Sequence, residues 1–216
     1  MSNKIQLDII SDVVCPWCII GYKNLKVAID ELGVAEQIEL QWQPFELNPN
    51  MPPEGQDLRE HVAEKYGSSL AESNQARINI SERGAEVGFT FNFFDTMKIV
   101  NTRDAHILLE YAYELGKQTE LKLRLFSAAF TEQKDVSKRE TLLNEVAEVG
   151  LDPQLAQFRL DDISYRNKIV AQEAEWQRLG VSAVPTVVFN RTSAMSGAQS
   201  VGAYKQALAE LLGLNK

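Results

Sequence analysis

Apolar and polar positions alternate at the start of the chain. Ile5, Leu7 and Ile9 against Gln6 and Asp8 predict a strand over residues 5–10. The period then lengthens: Ile19, Tyr22, Leu25, Ile29 and Leu32 recur at helical spacing, predicting a helix that Gly33 closes as its C′ residue. Alternation returns in Ile38-Glu-Leu40-Gln-Trp42-Gln43, a second strand stopped by Pro44. The opening segment therefore reads as β-α-β, which implies parallel strands joined by a right-handed crossover. Pro44, Pro49, Pro52 and Pro53 then mark a turn-rich boundary through Gly55.

From residue 57 to 162 the pattern is helical almost throughout. Leu58, Val62 and Tyr66 make a short helix ended by Gly67, and Ser69 and Glu72 have the spacing of a capping box. Phe89, Phe91 and Phe93 alternate and read as a short extended segment. Thr102 is expected to cap a helix carrying Ala105, Leu108, Leu109, Ala112 and Leu115 on one face. Apolar stripes continue through Leu121, Leu125, Phe126, Ala129 and Phe130, then Leu142, Leu143, Val146 and Val149. Asp152-Pro153 supplies an N-cap and a proline at N1. Beyond it, Ile169, Glu173, Trp176 and Leu179 mark a helix ended by Gly180. Val184-Pro185-Thr186 then leads into a buried strand to Phe189, residues 193–197 supply its hairpin partner, and residues 201–212 form a closing helix. Residues 1–56 and 163–216 thus read as two parts of one α/β domain, with an all-helical insertion over 57–162.

Composition narrows the partners. Thirty acidic against 22 basic side chains give a net charge of −8, which argues against nucleic acid and against an anionic membrane surface. No run approaches the roughly eighteen apolar residues of a transmembrane helix. Met1-Ser-Asn-Lys4 leads directly into the strand, and Gln6 and Asp8 interrupt any apolar leader core, so a cytoplasmic location is expected.

The chemistry concentrates in Val13-Val14-Cys15-Pro16-Trp17-Cys18, at the turn from first strand to first helix. These are the only cysteines of the 216 residues. At a helix N-terminus the free N–H groups and the positive end of the macrodipole stabilise a thiolate, and Pro16 suits the first helical position. A zinc site would need four ligands, with only His61 and His106 as further strong candidates and no paired histidine spacing, so no metal is expected. A permanent disulfide across so short a loop would gain little chain entropy. In a reducing compartment, a lone Cys-x-x-Cys points instead to a redox pair.

The order of elements, with Cys15-Pro16-Trp17-Cys18 heading the first helix and Val184-Pro185 before a late strand, resembles the thioredoxin superfamily. The helical block between the β-α-β and β-β-α halves looks like the DsbA-like branch. Four segments carry a similarity to its cytosolic FrnE-like group: residues 11–21, residues 42–49, Asn101-Thr-Arg-Asp-Ala-His106, and Val184-Pro185 with Ser196-Gly-Ala-Gln199. That group neighbours the 2-hydroxychromene-2-carboxylate isomerases and the kappa-class glutathione transferases. The resemblance implies a thioredoxin-like fold with a large helical insertion and a cis Val184–Pro185 peptide facing the cysteines. It also implies substrate contacts from Val184, Pro185, Asn101 and His106. Where relatives often carry aromatic residues after that proline, this chain has Thr186 and Val187. Trp17 replaces the histidine of the periplasmic DsbA oxidants, which implies a less oxidising couple.

The expected activity is thiol–disulfide exchange, with Cys15 attacking and Cys18 resolving a mixed disulfide. Asp8 and Asp12 are candidate proton relays, although an aspartate before a turn is more often a turn-former. No bound cofactor is expected beyond the redox-active Cys15–Cys18 pair; a thiol or disulfide substrate is the partner, with glutathione a candidate co-substrate. Two rivals stand beside this reading: a glutathione-dependent isomerase or transferase, whose members usually carry serine at the position of Cys15, and a non-catalytic thioredoxin-like binding or chaperone module. The sequence leaves oligomeric state open.

Overall fold

In a computed structural model that describes residues 4–214, the chain begins with β1 (Ile5–Ser11), α1 (Pro16–Leu32) and β2 (Ile38–Pro44). The two strands pair in parallel from Ile5 against Ile38 to Ser11 against Pro44. Gly33 ends α1 in the left-handed conformation, its N–H on the Asp30 carbonyl and that of Val34 on Ile29. Met1–Asn3, on which part of the leader expectation rests, lie outside the described residues.

A two-stranded antiparallel pair, β3 (Gln56–Asp57) with β4 (Lys98–Ile99), then brackets α2 (Leu58–Tyr66) and α3 (Leu70–Glu86). These two-residue strands carry no periodic signal, and the sequence pattern misses them. The expected capping box at Ser69 and Glu72 is present, and Asp57 caps α2. The alternating Phe89, Phe91 and Phe93 do not form a strand. Phe89 N–H bonds the Gly84 carbonyl at the end of α3, Asn92 N–H bonds the Phe130 carbonyl, and the rings of Phe91 and Phe93 pack on Phe130. An added Cβ at Gly84 would lie 2.4 Å from the Phe91 ring, so the missing side chain is what admits that ring.

Next come α4 (Arg103–Glu114) and α5 (Gln118–Phe126), which runs into a π-turn at Ser127–Thr131, then α6 (Arg139–Glu148), α7 (Pro153–Asp161) and α8 (Ile163–Arg178). Thr102 holds the N-cap position of α4, but its side chain makes no capping hydrogen bond; Asn101 Oδ1 accepts from Arg103 N instead. The chain closes with β5 (Thr186–Phe189), β6 (Ser193–Ser196) and α9 (Val201–Leu212). The main sheet has the order β2-β1-β5-β6, with β5 antiparallel to both neighbours.

Leu7 and Ile9 of β1 face a large core with α1, α9 and the helical block, in which Ile19, Leu25, Trp42, Phe126 and Tyr204 are buried together. Ile10 points to the opposite face, where Phe45, Trp176, Val181 and Val188 form a smaller cluster under α8. The β2 edge is closed by a side chain. Gln118 of α5 accepts from Trp42 N at 2.8 Å and donates to the Trp42 carbonyl at 2.9 Å, as a neighbouring strand would.

Candidate active site

Cys15 is the N-cap of α1, in extended conformation, with Pro16 following at N1 and no acidic residue in the first turn. The turn is closed by Cys15 N–H on the Asp12 carbonyl, and Cys18 N–H bonds the Cys15 carbonyl. Both cysteines are free thiols. Cys15 keeps 5% of its surface accessible, whereas Cys18, one helical turn further on, is enclosed. Trp17 projects outward, 41% exposed, beside them.

The Val184–Pro185 peptide is cis, and the Val184 carbonyl lies 3.8 Å from Cys15 Sγ. Pro185 packs directly on α1. An added Cβ at Gly21 would stand 3.1 Å from Pro185 Cγ and 3.3 Å from Ala198 Cα, so the close approach of the two segments depends on that glycine. Residues far apart in sequence, Cys15 and Val184, thus share one surface point.

Beneath the thiols lies a buried polar group. Asp12 Oδ2 accepts the Leu47 N–H at 2.8 Å, and Asp12 Oδ1 lies 3.5 Å from His106 Nε2. Burial alone would raise the Asp12 pKa, but His106, the Leu47 N–H and the charge of Lys122 together hold it below the usual range. Lys122, absent from the residues singled out by sequence, is fully enclosed with its ammonium 3.5 Å from the Ser11 carbonyl and over the rings of Trp42 and Phe126. Burial pushes its pKa down to about 8, against the pull of Cys18, Asp12 and Cys15. Burial, then the hydrogen bond and charge of Cys15, push the Cys18 thiol well above its ordinary value. The sequence carried one sign of Lys122: it stands four residues before Phe126, in register with the apolar stripe.

Two expected site residues sit elsewhere. Asp8 projects from the face of β1 opposite the thiols, where it accepts from Gln43 Nε2 at 2.6 Å and lies 3.6 Å from Arg191 Nε. The period-two alternation of the strand separates it from Ile9 and the cysteine core. Asn101 is occupied in a different network, donating to Glu46 Oε2 and to the Pro49 carbonyl while holding the start of α4. His106 does reach the site, through Asp12 rather than as a free surface group.

Beside Val14 opens a cavity of about 220 Å³ walled by Phe94, Met97, Val100, Ala129 and Val136. The π-turn and Gln133, a non-glycine residue at φ 59°, shape its far side. The cations on its rim are engaged, Lys98 on the Glu54 carbonyl and Lys134 on Glu132 and Glu145, so its character is apolar. Among the described residues no group of three or more His, Cys, Asp or Glu side chains could hold a metal ion, and no helix is long and apolar enough to cross a membrane.

A model of the DSBA-like thioredoxin domain matches residues 6–209. An uncharacterized protein of Bacillus subtilis, YwbO, is 25% identical over 207 residues, covering 95% of this chain and 96% of that one. Among solved structures, a probable DsbA oxidoreductase from Streptomyces coelicolor superposes with a TM-score of 0.91 at 27% identity, over 98% of this chain and 92% of that one. The cytosolic disulfide reductase DsbM from Pseudomonas aeruginosa does so with a TM-score of 0.68 at 19% identity, over 97% and 99%.

Proposed function

This chain belongs to the DSBA-like thioredoxin domain family, and on that premise we propose that it is a cytoplasmic thiol–disulfide oxidoreductase working through Cys15 and Cys18. The observation that carries the reading is the asymmetry of the pair: an accessible Cys15 at the α1 N-terminus, facing Val184, with Cys18 enclosed one turn behind. Such a pair presents one sulfur to a substrate and keeps the other for the protein's own use. The Cys15 thiolate attacks a substrate disulfide, forming a mixed disulfide and expelling one substrate thiolate. The Cys18 sulfur then attacks Cys15 Sγ, forming the Cys15–Cys18 disulfide and releasing the second substrate thiolate. Two electrons pass to the substrate, and cellular thiols return the pair to the dithiol.

The backbone of Val184, beside the cis proline, is suited to pair with an extended substrate segment. The apolar cavity beside Val14 receives a bulky apolar group attached near the reacting sulfur. Trp17 in place of a cationic neighbour favours a reductase poise, and the cytosolic DsbM, also solved with GSH, supports glutathione as a candidate co-substrate. The test is disulfide exchange with glutathione disulfide and with a disulfide-bonded protein. Cys15→Ser should abolish turnover, and Cys18→Ser should accumulate a one-to-one mixed disulfide visible by mass spectrometry. Full turnover by Cys15→Ser would end the reading.

A further inference from the structure

The second step of this exchange has a proton to place. Cys18 is enclosed and protonated, only the thiolate attacks a disulfide, and the side chain has no exposed surface from which solvent could take the proton. The acceptor must therefore come from the groups around it. Those are Cys15, Asp12 of the β1–α1 turn, Lys122 of α5 and Tyr204 of α9; His106 and Glu110 of α4 share a cavity with Lys122 that does not include Cys18.

Most of them are already committed. Asp12 is held ionised by His106, the Leu47 N–H and Lys122, which makes it a weak base. The Tyr204 hydroxyl, pushed up to about 12 by burial, is a proton donor and not an acceptor at neutral pH. Cys15 is itself in the mixed disulfide at that moment. Lys122 differs: it is fully buried and contacts one carbonyl oxygen and two aromatic faces, and no carboxylate lies within ion-pair distance of it among the described residues. A buried ammonium without a carboxylate partner readily gives up its proton. Next to it lies a cavity of about 10 Å³ lined by Gln43, His106, Glu110, Gln118 and Lys122, large enough for about one water molecule and fitted with polar partners for it.

We propose that Lys122 Nζ, held at the Ser11 carbonyl where β1 enters the cysteine turn, is the proton acceptor for Cys18. The inference rests on the disulfide-exchange reading above and adds a residue to it. Neutral Lys122 takes the Cys18 proton, relayed by one water, as Cys18 Sγ bonds to Cys15 Sγ. The bond from Cys15 Sγ to the substrate sulfur breaks, and the substrate leaves as a thiolate that takes its proton from solvent. Lys122 then returns its proton through the single-water cavity toward Glu110, whose carboxylate meets Lys168 at the protein surface. No oxidant beyond the substrate disulfide is required.

Stopped-flow mixing of the reduced protein with less than one equivalent of an aromatic disulfide bearing a coloured leaving thiolate separates the two steps. The first thiolate appears with capture by Cys15, the second with attack by Cys18. In the native protein the second phase should rise with pH and level off near pH 8, where Lys122 becomes neutral. Lys122→Met should slow that phase at neutral pH by at least about tenfold, a modest share of what a positioned base contributes. It should change the first phase far less, and the slowed phase should climb in proportion to hydroxide. Lys122→Arg, which keeps the charge but cannot lose its proton, should also lack the plateau. The inference is overturned if Lys122→Met resolves as fast as the native protein or if Lys122→Arg keeps the plateau. A native second phase that climbs from about pH 7 to about pH 10 without levelling overturns it too, with no variant needed. Release of only one thiolate per native molecule, or a second phase that survives Cys18→Ser, would overturn the dithiol reading itself and this inference with it.

Discussion

Cys15 and Cys18 are separated by one helical turn and by their surroundings. The accessible edge of Cys15 and the enclosure of Cys18 predict that a brief pulse of iodoacetamide modifies Cys15 alone, with Cys18 labelled only after denaturation; peptide mass spectrometry reads the order. Lys122 carries a stability consequence as well. Its pKa in the folded chain, about 8, lies below its ordinary 10.5, so its contribution is most favourable above the ordinary value and is lost as pH falls through 8. At neutral pH the fold holds a charge it disfavours, and Lys122→Met should stabilise the protein by up to about 3 kcal/mol in urea denaturation. A stabilised variant with impaired second-step chemistry would mark a residue kept for function and not for the fold.

At the scale of elements, the site depends on how α5 and α1 meet the sheet. Gln118 closes the Trp42 N–H and carbonyl on the β2 edge, so Gln118→Ala leaves two buried backbone groups unpaired and should cost about 2 kcal/mol or more, measured by thermal or denaturant unfolding. Because Gln118 and Lys122 share one face of α5, loosening that edge should also slow resolution by Cys18. Gly21 answers to a different constraint. Any side chain there meets Pro185 and Ala198, so Gly21→Val should cost about 1–3 kcal/mol and displace the Val184 carbonyl from Cys15. Disulfide exchange falling more steeply than stability would distinguish lost geometry from lost fold.

Across the whole molecule, a second buried polar network ties the halves together. Glu46, in the segment after β2, is bound by Arg103 of α4 at 2.7 Å and by Asn101, and Glu173 of α8 stands against it. Burial, then the charge of Glu46, push the Glu173 carboxyl up to about 8, so Glu173 keeps its proton at neutral pH. A raised folded pKa means stability that is complete below the ordinary carboxyl value of 4.5 and is lost progressively as pH rises to 8. Glu173→Gln should remove this slope, seen as a flatter dependence of the unfolding midpoint on pH across that window. An unchanged slope would show that Glu173 does not hold that proton.

The alternation in β1, the stripe of α1 and the capping residues Asp57, Ser69 and Asp152 are local properties, and they locate most helices and main-sheet strands without reference to distant contacts. The spacing of Cys15 and Cys18 at a strand-to-helix turn likewise marked the candidate pair, because a helix N-terminus acts on the residues that form it. Which distant side chains join them depends on how the elements pack. Asp8 and Asp12 look alike in sequence, yet strand alternation turns one to the far face while the turn brings the other to His106. Phe89, Phe91 and Phe93 have a strand's pattern but pair with no strand, and they wrap Gly84 and Phe130 instead. Lys122 is the sharpest case: an ordinary lysine on an amphipathic helix becomes a fully buried cation at the Ser11 carbonyl because the helical block packs α5 beneath the end of β1. Burial and through-space charge, which set the chemistry of that lysine, are properties of the assembled core and have no local signature.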